Sequence, residues 1–154
     1  MNTEAVIREY LPQIIHLSLA TVSGDIPWVC ELYFAYDDNL NLYFSSQQSG
    51  RHSQELTTNP KVAGSIVRQH ADGEAPLGIY FEGQAKLLAA GTEQDLAFDC
   101  IKERFADGDE ILVEGKQPDG HQFYKIAVGT YYLFGSFEGG KSRKFELAWH
   151  GGDV

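Results

Sequence analysis

The sequence predicts a mainly β protein: a small antiparallel barrel of roughly six or seven strands with short peripheral helices. Three observations carry this reading. Short runs rich in β-branched and aromatic side chains recur along the chain. Tight polar turns, Ser23-Gly24-Asp25 and Asp37-Asp38-Asn39, join the first three of these runs. No repeated strand–helix–strand unit occurs, which removes a doubly wound parallel sheet.

Taken in order, Thr3 to Leu11 places Val6, Ile7, Tyr10 and Leu11 on one helical side, and Pro12 closes the helix. Ile14 to Val22 alternates, with Ile15, Leu17 and Leu19 on one face and His16, Ser18 and Ala20 on the other. Pro27 to Tyr36 and Leu40 to Ser46 follow across the two turns, so an antiparallel meander is expected. A helix over Arg51 to Thr58 is stopped by Asn59-Pro60. Val62 to Gln69 and Ile79 to Leu88 read as strands. Thr92-x-x-Asp95 resembles a capping box opening a helix through Phe105, with Ala97, Cys100, Ile101 and Phe105 at helical spacing. Asp107 to Gly120 is polar and carries no clear period. Phe123 to Phe134 reads as two strands broken near Gly129, and Phe145 to Trp149 as a last short strand.

Composition bounds the function. At 154 residues the chain reads as one domain, 1–154, with 43% hydrophobic and 22% charged residues, which is ordinary for a globular core. A formal net charge of -10 argues against a broad nucleic-acid or anionic-membrane surface. The start, MNTEAVIREYL, lacks a secretory pattern, and no run is long enough to span a bilayer, so a soluble, cytoplasmic protein is expected. Cys30 and Cys100 lie in apolar segments and read as two buried thiols rather than a disulfide framework.

One window departs from the acidic average. From Asn39 to Ala71 the only acid is Glu55, while Arg51, Lys61 and Arg68 supply positive charge. Within it, LYFSSQQSGRHSQELTTNP brings an aromatic strand into hydroxyls, a Gly-Arg-His turn and a helix start. Ser45, Ser46 and Ser49 are short donors, Arg51 offers a planar fork, His52 donates from its ring, and Gly50 permits a positive φ that would let backbone N–H groups converge on a phosphate. The same residues also suit a plain Ser-Gly turn with Ser49 capping the helix. Spacing alone leaves both readings open.

The stretch Thr21 to Val67 resembles the core of the pyridoxamine 5′-phosphate oxidase-like family, the FMN-binding split barrels. The resemblance rests on Leu42-Tyr43-Phe44-Ser45-Ser46, then Ser49-x-Arg51, Leu56, Asn59-Pro60 and Val62 or Ala63. Phe123-Tyr124-Lys125-Ile126 and Tyr131-Tyr132-Leu133-Phe134 resemble the family's late strands. It implies a split β-barrel that binds FMN at a homodimer interface and acts as a flavin-dependent oxidoreductase on a small molecule. Ser49, Arg51 and His52 match positions that hold the FMN phosphate. Ser45 and Ser46 match the strand end lining the flavin, and Glu31, Leu32 and Tyr33 match the segment whose backbone lies along the isoalloxazine ring. Trp149 is the candidate for closing the pocket from the second subunit. The strand Trp28-Val29-Cys30-Glu31-Leu32-Tyr33 lacks the basic residue that the true oxidase uses on its phosphate, and the Arg-Leu-x-Pro type of substrate motif has no counterpart, which argues against pyridoxamine phosphate as substrate. A non-catalytic flavin- or haem-binding module and a deazaflavin-dependent reductase are the alternatives.

Other chemistries find little support. His16, His52, His70, His121 and His150 show no i, i+4 pairing with an acid, and neither cysteine lies in a CxxC, so no metal site is expected. Nucleophile-elbow and P-loop motifs do not occur. Gly139-Gly140-Lys141-Ser142-Arg143-Lys144 reads as a solvated hairpin loop or, more sharply, as a cationic gate over the cofactor.

Overall fold

The computed structural model describes residues 1–105, 120–137 and 139–149. The polar stretch 107–119 and His150 lie outside them. Helix α1 (Thr3–Tyr10) is capped by the Asn2 side chain and runs into a 3₁₀ turn, Leu11–Gln13, that accommodates Pro12. Strands β1 (His16–Ser23), β2 (Ile26–Tyr33), β3 (Ala35–Tyr36) and β4 (Leu42–Gln47) precede α2 (Arg51–Leu56). Then come β5 (Lys61–Ile66), β6 (Leu77–Leu87), α3 (Thr92–Arg104), β7 (His121–Gly135) and β8 (Arg143–Ala148).

All strand pairs are antiparallel, in the order β2-β1-β5-β6-β7-β4-β3, with β8 on the far half of β7. The two ends of this path, β2 and β3, are separated in sequence by Phe34 alone. One chain segment therefore supplies both edges, so the sheet curls and its two edge strands adjoin at Phe34 without pairing to each other, which makes it a split β-barrel. Phe34 is the corner: its ring is fully buried and its N–H donates to the Ile15 carbonyl. The expected three-stranded meander is corrected here. The Pro27–Tyr36 run breaks at Phe34, its first part pairs with β1 and its last two residues pair with β4.

The second correction concerns β7, which is one continuous strand. Against β6, Glu82 faces Thr130 and Gly83 faces Val128, so Gly129 is the extra residue of a β-bulge rather than a break. Gly83 is required there, because a Cβ would lie 2.2 Å from the Ala127 carbonyl oxygen. The capping box of α3 also fails: the helix begins at Thr92 as expected, but Gly91 is its N-cap and no side chain bonds to it.

Inward side chains of the strands, among them Leu17, Leu19, Phe44, Phe81 and Tyr131, fill the barrel, and α1 packs Ile7 and Tyr10 onto the same cluster. A second, smaller cluster lies between α3 and the outer face of β3, β4 and β7, through Ala35, Tyr43, Phe123, Ala97 and Ile101. Among the described residues no helix is long and apolar enough to cross a membrane.

Candidate anion-binding site on the β1–β2 hairpin

Strand alternation sorts the hairpin's side chains into two faces. Leu17, Leu19 and Thr21 of β1 are buried, and Cys30 and Leu32 of β2 pack against the same core. Trp28 is the register partner of Thr21, so the two project together toward the barrel's open end. Helix α2 lies there. Arg51 and Glu55, one turn apart, meet that strand pair: Thr21 Oγ1 donates to Glu55 Oε2, Arg51 Nε donates to Glu55 Oε1 at 3.1 Å, and the Arg51 guanidinium sits 4.2 Å over the Trp28 ring.

Two cross-strand partners thus hold two helical i, i+4 partners. Glu55 is 8% exposed, and the Thr21 hydroxyl together with the Arg51 guanidinium holds its carboxyl below the usual carboxylate range. Arg51 remains half-exposed, and its Nη1 and Nη2 make no hydrogen bond among the described residues. A half-exposed planar pair of unclaimed donors can bind two oxygens of one phosphate or carboxylate.

The strand end of β4 completes the cluster. Ser46 Oγ lies 2.6 Å from His52 Nε2, and the His52 ring packs 6.2 Å from that of Phe44. Burial lowers the imidazole below its ordinary range despite the nearby Glu55 carboxylate, so His52 is neutral at neutral pH.

The other sequence-derived candidates are dispersed. Ser49 is exposed and bonds nothing among the described residues, and Gly50 has φ -61, so the expected positive φ is not used. Helix α2 has only six residues and no side-chain cap, so side chains rather than a helix dipole supply the anion-binding capacity. Ser45 points to the opposite face of β4 from Ser46, on the side of its partner Phe123, and its buried hydroxyl has no hydrogen-bond partner among the described residues. Glu31 is bonded to Ser18 on the outer face of the hairpin, Leu32 faces the core, and Tyr33 is 65% exposed with its ring against Phe105. Among the described strands β2 pairs only with β1, so its outer backbone edge from Trp28 to Tyr33 is free to bond a ligand.

Trp149 does not reach away from its own barrel. Its Nε1 donates to the Asn39 carbonyl at 2.7 Å and its N–H to that of Gly129. Of the Gly139–Lys144 segment, Gly139 to Ser142 belongs to the connection before β8 and Arg143 and Lys144 open that strand, with Ser136 bonded to Ser142 and Lys144 over Tyr132. Both thiols are free, and burial pushes each up to about 11, which favours the protonated thiol over the thiolate. Among the described residues no three His, Cys, Asp or Glu groups converge as for a metal.

Reading the sequence missed Glu55, Thr21 and Trp28. The i, i+4 spacing of Arg51 and Glu55, in a window with no other acid, was the available signal for the first. Nothing local marks the other two, because their pairing depends on the hairpin register.

Residues 3–134 match the family model described as pyridoxamine 5′-phosphate oxidase. A UPF0306 protein from Yersinia pestis is 30% identical over 90 residues, 58% of this chain and 61% of that protein. The match thus spans less than two thirds of the Yersinia relative. A structure titled as a heme binding protein from Mycobacterium smegmatis superposes with TM-score 0.74 at 17% identity, covering 92% of this chain and 55% of the other. One titled as a FAD-binding protein from Mesorhizobium loti does so with TM-score 0.64 at 20% identity, covering 84% and 90%.

Proposed function

Because the chain belongs to the pyridoxamine 5′-phosphate oxidase family, we propose that it is an FMN-binding flavoprotein, a flavin-dependent oxidoreductase acting on a small molecule, with its cofactor at a homodimer interface. The observation that carries the reading is the Arg51 guanidinium, held on Trp28 and Glu55 with both Nη groups unclaimed among the described residues. Beside it stand the Ser46–His52 pair and the free edge of β2. A cationic contact at one end of an open strand edge suits an elongated ligand with a phosphate at one end and a flat polar ring along the strand.

In this assignment Arg51 and His52 hold the phosphate with exposed Ser49 beside them, and Ser46 orients His52, while Ser45 lies on the opposite face of β4 from that pair. Backbone groups of Glu31, Leu32 and Tyr33 meet the ring's polar edge, where exposed Tyr33 adds an aromatic face. When bound, FMN supplies hydride or electron transfer. The protein's part is to bind, orient and shield; no side chain at the site is placed as a general acid or base. The Mesorhizobium likeness agrees with a flavin in this fold.

A haem-binding module is the second reading. It is favoured by the Mycobacterium likeness and by His16, whose half-exposed ring stands 4.0 Å from Glu31 on the outer hairpin face. An absorption spectrum of the purified protein, before and after FMN addition and removal of excess, separates the readings. Bound flavin bands support the proposal. A Soret band, or a protein that refuses FMN, overturns it.

A further inference from the structure

The anion site differs from a simple basic pocket in having an ionised carboxylate directly behind its arginine. Arg51 and Glu55 form a formally neutral pair, and His52 is neutral beside them. A site without net positive charge gains little from long-range attraction, so it must select by shape. The structure provides the means. Glu55 occupies Nε, the Trp28 face supports the guanidinium plane, and Thr21 fixes the carboxylate on the partner strand. The long arginine side chain, which otherwise keeps considerable rotamer freedom, is left with one edge to offer.

We propose that Glu55 and Trp28 are positioning residues that lock Arg51 with its Nη edge outward, so that the site recognises the terminal phosphate of the flavin by paired hydrogen bonds rather than by net charge. This rests on the flavin reading above, and it assigns roles to two residues on different elements. The strand that carries Trp28 has no lysine or arginine. The aromatic face does there, by holding the one arginine in place, what a second cation would do by charge.

The sign of one substitution separates shape from charge. If Glu55 acted only through its charge, Glu55→Ala would remove a negative group beside the phosphate and tighten FMN. If it positions Arg51, the same change loosens FMN by about tenfold or more. Glu55→Gln keeps an acceptor for Nε and stays within about threefold of the wild type. Arg51→Lys keeps the charge but lacks the planar fork that bonds two phosphate oxygens in parallel while Nε is held by Glu55, so it also loses about tenfold or more. Trp28→Leu falls between.

The experiment is flavin-fluorescence titration of each variant with FMN and with riboflavin, which lacks the phosphate. A lowered FMN-to-riboflavin affinity ratio in Glu55→Ala and Arg51→Lys, with Glu55→Gln near the wild type, supports the proposal. Ratios unchanged within about threefold, or tighter FMN in Glu55→Ala, overturn the positioning role while leaving the flavin reading intact. Wild-type protein that binds neither flavin overturns both. A variant that fails to fold loses both ligands together, and the Arg51→Lys and Trp28→Leu ratios then decide.

Discussion

His52 is held neutral by burial, and its protonation therefore opposes folding. The folded-state pKa lies below the unfolded value of about 6.5, so the unfolded chain binds the extra proton first. Stability is full above that value and falls as pH drops through the window beneath it. Glu55 adds a second, more acidic loss: its carboxyl is depressed in the fold, so its contribution is present above the ordinary carboxylate range and disappears below it. We expect His52→Gln, which can still bond Ser46, to flatten the first slope and leave the second; urea melts at pH 7.5, 5.5 and 4 would show it. Arg51→Ala should weaken FMN by about tenfold to a hundredfold and lower the thermal midpoint modestly, because the nearly buried Glu55 carboxylate then keeps only its Thr21 bond. At this scale the sequence showed Arg51, His52 and Ser46 through their residue types and adjacency. It could not show Trp28, whose role exists only once Thr21 and Trp28 are paired across the hairpin.

Among the elements, the β6–β7 ladder depends on a local defect. The bulge at Gly129 lets one long strand serve β6 along its whole length while pairing with β4 on one half and β8 on the other. Gly83 faces the bulge with no room for a methyl group. Gly83→Ala should cost on the order of 1–3 kcal/mol, as overpacking does, and denaturant midpoints would read it. Helix positions were legible from local signals: α1 from its apolar spacing, α2 from the Gly-Arg-His turn and Asn-Pro stop, and α3 from a Thr92 start whose capping box does not form. The break at Phe34 was not, since a strand-like run with no turn residue between Glu31 and Tyr36 gives no sign that its two ends join opposite edges of a sheet. Gly129 was misread for a related reason, because a glycine marks both a strand end and a bulge. The polar turn after β3 is better built than its composition suggested. Asp37 Oδ1 accepts from the N–H groups of Asn39 and Asn41, and the Tyr131 hydroxyl donates to the carbonyl of Leu40, which is held at φ 57.

On the scale of the whole molecule, β2 is the surface that the barrel leaves unfinished. Ile26 and Val29 are each 59% exposed and Tyr33 65%, on a strand whose outer edge is unpaired among the described strands. An apolar edge of this kind invites association, and acidic proteins manage such edges only partly by charge. A second copy brings its own net charge of -10, so repulsion opposes the contact and salt should strengthen it, the reverse of a salt-bridged interface. We therefore expect sedimentation to give twice the chain mass, with the dimer more stable at high ionic strength. Val29→Glu sets a carboxylate on the exposed face beside Glu31 and should shift the population to monomer without unfolding the barrel, since Val29 contributes little to the core. If the flavin lies between copies, that variant also loses FMN affinity by about tenfold or more although it leaves Arg51, Glu55 and His52 untouched. A monomeric Val29→Glu protein that binds FMN as the wild type does would place the whole site within one barrel, and a monomeric wild type would remove the interface altogether.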